Sequence, residues 1–189
     1  GIVTAVGSMI SMALCPLLIK KLNERNAYIL LSVYGFAASI FSFVIGHFWF
    51  QSPKNMVLTV LFYASLFLIG LQFGAVTLMP MIMTADAVDY YEYETGKRME
   101  GACYSILTLT IKVCLALGTA VGLIFVQKSG YYESLTAGTF TTKTKDIIFF
   151  AYTALPGILA LISIFPMFKY DIVGEKKAKI SYELAARRK

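Results

Sequence analysis

Long stretches without a charge constrain this chain more than any other feature. Residues 2–19, 27–46, 55–85 and 147–168 contain no Asp, Glu, Lys or Arg, and residues 102–126 contain only Lys112. About 20 apolar residues of helix cross the roughly 30 Å hydrocarbon core of a bilayer. Inside that core every backbone amide needs a partner within the helix or in a closed barrel. These runs are continuously apolar rather than alternating, which favours helices over barrel strands. The expectation is an all-α membrane protein with five transmembrane helices. The run 55–85 exceeds what a straight crossing needs, so it is tilted or extends past the hydrocarbon.

The charge distribution supports the same class. Of the 189 residues, 58% are hydrophobic and 15% charged. A soluble domain would spread its charges between its elements. Here they gather in connectors and in a tail. The net charge of +6 is explained by its place beside the spans, and no soluble module is present to hold nucleic acid. An apolar run is already under way at Gly1, and the sequence is read as partial. Cys15, Cys103 and Cys114 show no CxxC spacing and read as small buried hydrophobes. His47 ends an apolar run and reads as an interfacial residue.

Orientation follows from where Lys and Arg fall. One side of the expected spans holds Lys20, Lys21, Arg25, Lys97, Arg98 and the tail's Lys169, Lys176, Lys177, Lys179, Arg187, Arg188 and Lys189, twelve in all. The other side holds Lys54, Lys128, Lys143 and Lys145. The first side is expected to be cytoplasmic, with the C-terminus inside a multi-pass plasma-membrane protein. Residues 1–168 then form the transmembrane bundle and residues 169–189 a basic cytoplasmic tail. In the tail, Ile180 and Leu184 share one helix face. That face reads either as a contact with anionic lipid or as part of a solvated tail. Gly70 with Gly74, and Gly118 with Gly122, form two GxxxG pairs, the ordinary signature of close helix packing. Pro80, Pro156 and Pro166 are positioned to kink or end their helices.

The residues that carry chemistry lie between Thr84 and Lys112. Lys112 is ten residues beyond Ala102, about 15 Å along a helix, and so near the bilayer middle. Insertion scales assign about 2.5–3.5 kcal/mol to such a lysine. A charge at that depth usually faces a bundle interior or water. The alternative is a structural lysine that pairs or snorkels. Ser105, Thr108 and Thr119 fall on the Lys112 face, either as a hydrophilic path or as hydroxyls bonded back to their own helix. Asp86, Asp89 and Glu92 recur every three residues at the inner end of the third span, with Lys97 and Arg98 following. A charge run is often a solvated face; at a membrane end it also suits an ion-pair latch. No nucleophile–base pair, metal-ligand spacing or phosphate-binding glycine loop is present, so no catalytic residue, metal site or enzyme activity is expected.

The run ADAVDYYEYETGKRMEG, followed by YSILTLTIK, resembles the signature connector of the glycoside–pentoside–hexuronide:cation symporters, the melibiose-permease-like branch of the major facilitator superfamily. The matching residues are Ala85, Asp86, Val88, Asp89, Tyr90, Glu92, Tyr93, Arg98, Glu100, Tyr104, Ser105, Thr108 and Lys112. Gly130-Tyr131 and Tyr182-Glu183-Leu184 look similar too, so the resemblance covers essentially the whole chain. It implies a partial major-facilitator-type C-terminal bundle, the eighth to twelfth helices of a twelve-helix transporter. It further implies a small-molecule sugar or glycoside as substrate, moved by alternating access. The coupling cation, Na⁺ or H⁺, would bind mainly in an N-terminal helical bundle that this sequence lacks, and no other cofactor is implied. Lys112 would couple cation to sugar, Thr108 would touch sugar, and Asp86, Asp89, Glu92 and Arg98 would form the cytoplasmic gate. Melibiose-type members carry a Trp where this chain has Thr77, which leaves Gln72 as the polar candidate on that helix. A related symporter for a non-sugar solute such as a lysolipid, and a non-transporting membrane scaffold, are the alternatives.

Overall fold

The computed structural model describes residues 1–187; Arg188 and Lys189, counted above with the inner-side charges, lie outside the described residues. Eight helices follow in order: α1 (Ile2–Gln51), α2 (Met56–Thr95), α3 (Glu100–Lys128), α4 (Tyr131–Ala137), α5 (Thr142–Tyr152), α6 (Ala154–Ile162), α7 (Ile164–Met167) and α8 (Gly174–Arg187). No strand occurs among the described residues. Four segments are long and apolar enough to cross a membrane: α1, α2, α3 and the run Thr142–Met167.

Four such segments stand where five spans were expected, and the cause is local. The first two expected spans share the 50-residue α1, whose Asn23 is non-helical at φ 63°, ψ 160°. Asn tolerates positive φ better than most residues. The chain folds back there, because both halves of α1 meet the same turns of α2. A Cβ at Gly7 would lie 2.6 Å from the Phe67 carbonyl oxygen. From the other half, Tyr34 Oη donates to the Leu68 carbonyl at 3.1 Å. The first half runs parallel to α2, with Thr4 at Gly70 and Ser8 at Gly74. The second half runs antiparallel to it, from Gly35 at Gln72 to the bond between Ser42 and Ser65 at 3.0 Å.

Small residues set these contacts. Lipid tails are as apolar as Leu, so helices in a bilayer associate through close packing and hydrogen bonds rather than hydrophobic transfer. Gly70 and Gly74 lie directly against the backbone of Thr4 and Ser8, and Gly157 of α6 lies against Ser39. A buried cluster of Cys15, Ala27, Ala75 and Met79 fills the space behind the Asn23 turn. At the opposite end, Trp49 stacks on Phe62 at 4.5 Å and donates from its indole to Thr59 at 3.1 Å. This tryptophan therefore packs onto α2.

The final span is not one smooth helix. It breaks at Thr153 and Ser163, each three residues before a proline, Pro156 and Pro166. A proline lacks the N–H for the i−4 carbonyl and crowds that carbonyl. By contrast, α2 stays continuous through Pro80. At 40 residues it is about 60 Å long at 1.5 Å per residue, twice the hydrocarbon thickness. Asn55 caps its start by accepting from Val57 N–H at 3.0 Å, and Gly96 ends it at φ 70°. The charged stretch before Gly96 is thus helix, and the true connector is only residues 96–99.

Helix α3 stands apart, with no residue of it buried among the described residues. A Cβ at Gly118 or Gly122 would meet no described atom within 4 Å. Of the two GxxxG pairs, only Gly70 and Gly74 make a helix contact here. Gly74→Ala should lower stability by about 1–3 kcal/mol through forced separation of two backbones, while Gly118→Ala should leave it unchanged or slightly raised. Thermal unfolding of both variants in detergent micelles checks this.

Candidate functional site

Two polar assemblies lie at the end of the long helices that carries the basic excess. The first gathers on Arg98, in the connector between α2 and α3. Its guanidinium donates to Glu92 at 2.9 Å, to Asp89 at 3.3 Å and to Glu100 at 3.1 Å. Asp89 and Glu92 are three apart on the charged C-terminal extension of α2 and so share a face. Bonds to Glu92 and Glu100 hold the Arg98 guanidinium firmly charged, its pKa raised. The arrangement clips the start of α3 to the end of α2. Being exposed, it acts more by geometry than by stored energy.

The second assembly takes Asp86, which the sequence grouped with the first. Asp86 is buried and makes its ion pair with the tail rather than with Arg98, although it lies one turn before Asp89 and lines one small pocket with it. Its Oδ1 lies 2.7 Å from Lys177 Nζ on α8, and Tyr170 Oη donates to its Oδ2 at 3.2 Å. Lys177 also reaches Glu24 Oε1 at 2.6 Å. Glu24 follows the Asn23 turn and is buried as well. The four expected gate residues therefore divide, with Asp89, Glu92 and Arg98 in one network and Asp86 in another. Glu24, Tyr170 and Lys177 were missed by sequence reasoning. The one signal for Glu24 is that it is the lone acid among Lys20, Lys21 and Arg25.

Burial raises the Asp86 pKa, and the Lys177 ammonium only partly opposes it. Burial works against the Lys177 charge, but its bonds to Asp86 and Glu24 prevail and raise its pKa. Burial, then the Asp86 charge, raises Tyr170, so its hydroxyl stays a donor.

The tail's apolar face is occupied. Ile180 and Leu184 are 4% and 3% exposed, and α8 packs along α2. This corrects the expectation of a face on lipid or in solvent.

The midspan candidates lie elsewhere. Ser105, Thr108 and Lys112 line one shallow groove with Gly101, Tyr104 and Leu109, all on α3; Thr119 is not part of it. Thr108 Oγ1 donates to the Tyr104 carbonyl at 2.8 Å and Ser105 Oγ to that of Gly101 at 2.7 Å, the local back-bonding common to Ser and Thr in helices. Gln72 is buried in the seam between α2 and the second half of α1, against Gly35. It is not brought to the α3 groove. At the far end, His47 Nδ1 meets Asp146 Oδ2 at 2.9 Å and Gln51 Nε2 meets His47 Nε2 at 2.8 Å, tying α1 to α5. No group of three or more metal-ligating side chains occurs among the described residues.

Comparison with known proteins places this geometry. Residues 1–174 match the family described as "MFS/sugar transport protein". The chain is 29% identical over 145 residues to the "Uncharacterized 29.9 kDa protein in crtE 3'region" of Pseudescherichia vulneris, covering 77% of this chain and 50% of that one. It is 24% identical over 187 residues to the "Glucuronide carrier protein homolog" of Escherichia coli K12, covering 97% and 38%. It is 29% identical over 189 residues to the "Lactose permease" of Lactobacillus delbrueckii subsp. bulgaricus, covering 96% and 27%. The chain thus spans half or less of the length of these relatives. No solved structure matches it.

Two predictions follow from the separate networks. Arg98→Gln should speed tryptic cleavage after Lys97 while leaving the thermal midpoint in place, as read by a digestion time course beside an unfolding scan. For Asp86, a raised folded pKa means that its contribution is complete below its ordinary 3.8 and is lost as pH rises through the folded value. The stability advantage of wild type over Asp86→Asn should therefore shrink as pH rises from 3.8 and level off once the carboxyl has ionised. Thermal midpoints measured across that range check the sign.

Proposed function

The chain belongs to the MFS/sugar transport protein family, and from that premise we propose that it forms the C-terminal part of a cation-coupled symporter for a sugar or glycoside. The chain crosses the membrane five times, because α1 folds back at Asn23 and contributes two crossings. The basic inner side is cytoplasmic, and the C-terminus lies there in the plasma membrane. Sugar is moved by alternating access between this bundle and an N-terminal bundle that carries most of the Na⁺ or H⁺ site.

One observation carries this reading. Helix α3 is uncharged along its membrane length except for Lys112, and Lys112 shares an open groove with Thr108 and Ser105. A lysine at that depth is retained where a partner or water receives it. A carboxylate of the second bundle supplies that partner, and Thr108 turns its hydroxyl from the Tyr104 carbonyl to substrate. Gln72, buried beside Gly35, supports the groove's neighbouring helix rather than the substrate itself. Asp89, Glu92 and Arg98 hold the inner gate shut while the outer side is open, and Asp86 acts on the same gate from the tail side.

The driving force is adequate. One charge crossing 100 mV supplies about 2.3 kcal/mol, roughly fifty-fold accumulation at about 1.4 kcal/mol per decade. The test is labelled glycoside uptake into vesicles bearing the full-length transporter, with and without a Na⁺ or H⁺ gradient. Uptake should follow the gradient and fall at least tenfold in Lys112→Ala. Gradient-driven uptake that survives Lys112→Ala would remove Lys112 from the coupling path. No uptake over a broad glycoside panel would move the reading to a non-sugar solute.

A further inference from the structure

Helix α8 has the composition of a solvated helix, yet one of its faces is buried. Lys177, Ile180 and Leu184 fall at i, i+3 and i+7, one stripe of an α-helix. The two apolar members of that stripe are almost fully covered. The charged member enters the same seam and ends between two carboxylates, Glu24 at 2.6 Å and Asp86 at 2.7 Å. Those acids come from different parts of the fold, Glu24 from the turn at Asn23 and Asp86 from the inner part of α2. Both are buried, and each raises the cost of charge on the other. A single ammonium from the tail compensates both. Burying paired charges is costly unless geometry and further hydrogen bonds satisfy them; here Tyr170 supplies a further donor to Asp86.

Two more contacts hold α8 along the same helical extension. Lys176 lies over the Tyr90 ring at 5.0 Å, and Arg187 lies over the Tyr93 ring at 5.4 Å while donating to the Tyr93 carbonyl at 3.0 Å. The tail thus grips α2 at residues 86, 90 and 93. Asp89 and Glu92, on the same stretch, are the residues held by Arg98. Tail and connector therefore act on one helical stub of α2.

We propose that α8 is a displaceable strap: seated through Lys177 between Glu24 and Asp86, it ties the Asn23 turn to the inner extension of α2 and so sets the order of the connector that leads into α3. Unseating α8 leaves two neighbouring carboxylates uncompensated, and the turn and the extension separate. Loss of the tail contact then reaches the Arg98 network through Asp89, which pairs with Arg98 and lines one small pocket with Lys177, Ile180 and Ser181. The strap stands independently of what the chain transports.

Hydrogen exchange of the full chain in lipid nanodiscs tests this by comparing wild type with Lys177→Ala, Lys177→Arg and Lys179→Ala. Lys177→Ala should speed exchange at least tenfold in residues 174–187 and, together with them, in residues 86–99. Lys177→Arg should recover most of the protection. Lys179→Ala, which removes only an exposed contact with Glu183 at 4.0 Å, should change neither segment. Should Lys177→Ala fail to fold, Ile180→Ser/Leu184→Ser loosens the same helix with every charge kept, and the strap requires the same joint acceleration. Faster exchange confined to residues 174–187, or none at all, would overturn the proposal.

Discussion

Close backbone approach at Gly70 and Gly74 is the contact on which the rest of the structure depends. Neither residue carries a side chain, so the Thr4 and Ser8 turns of α1 settle directly on α2. That contact places the first half of α1 beside α2 and leaves the second half to return along it. The return half then offers Ser39 and Gly46 to the final span, at Gly157 and Phe149. Each layer is positioned by a small residue in the layer before it. In a bilayer this is the expected economy, because surface burial between helices gains little over contact with lipid.

Polar groups are placed by the same framework. The α1 turn at Asn23 brings Glu24 close to the C-terminal part of α2, where Asp86 is buried. Two buried acids so close would be untenable alone, and the chain answers with a lysine from its tail. One and two turns further along the helix, Asp89 and Glu92 meet Arg98 and fix the entry to α3. This end of α2 thus carries two neighbouring charge clusters, one held by Lys177 and one by Arg98. They differ in character: the Arg98 cluster is exposed and adjustable, whereas the Lys177 cluster is buried and costly to open in part.

Helix α3 differs from all of this. It is tethered at both ends, by the Arg98 clip and by α4 and α5, yet its middle is open. Its hydroxyls turn back on their own helix and its glycines meet no described neighbour. A long apolar helix with one midspan lysine is suited to receive partners from outside this bundle, and the proposed second bundle provides them.

The sequence by itself determined that the chain is helical and membrane-embedded, since uncharged runs of such length leave no other way to satisfy the backbone in lipid. It determined the family too, because the acids, Arg98, Thr108 and Lys112 recur at fixed spacing. It marked Pro156 and Pro166, whose missing N–H groups break the last span wherever that span packs. Composition could not decide which GxxxG pair makes a contact, because both pairs look alike until a neighbour arrives at one of them. Nor could it decide that Asp86 leaves the company of Asp89 and Glu92. That depends on where along α2 the tail lysine seats, and that lysine lies 91 positions away. The fold-back at Asn23 was equally open, since a single residue at positive φ converts one continuous helix into two antiparallel halves. Local chemistry fixed the elements; long-range contact fixed which of their faces meet.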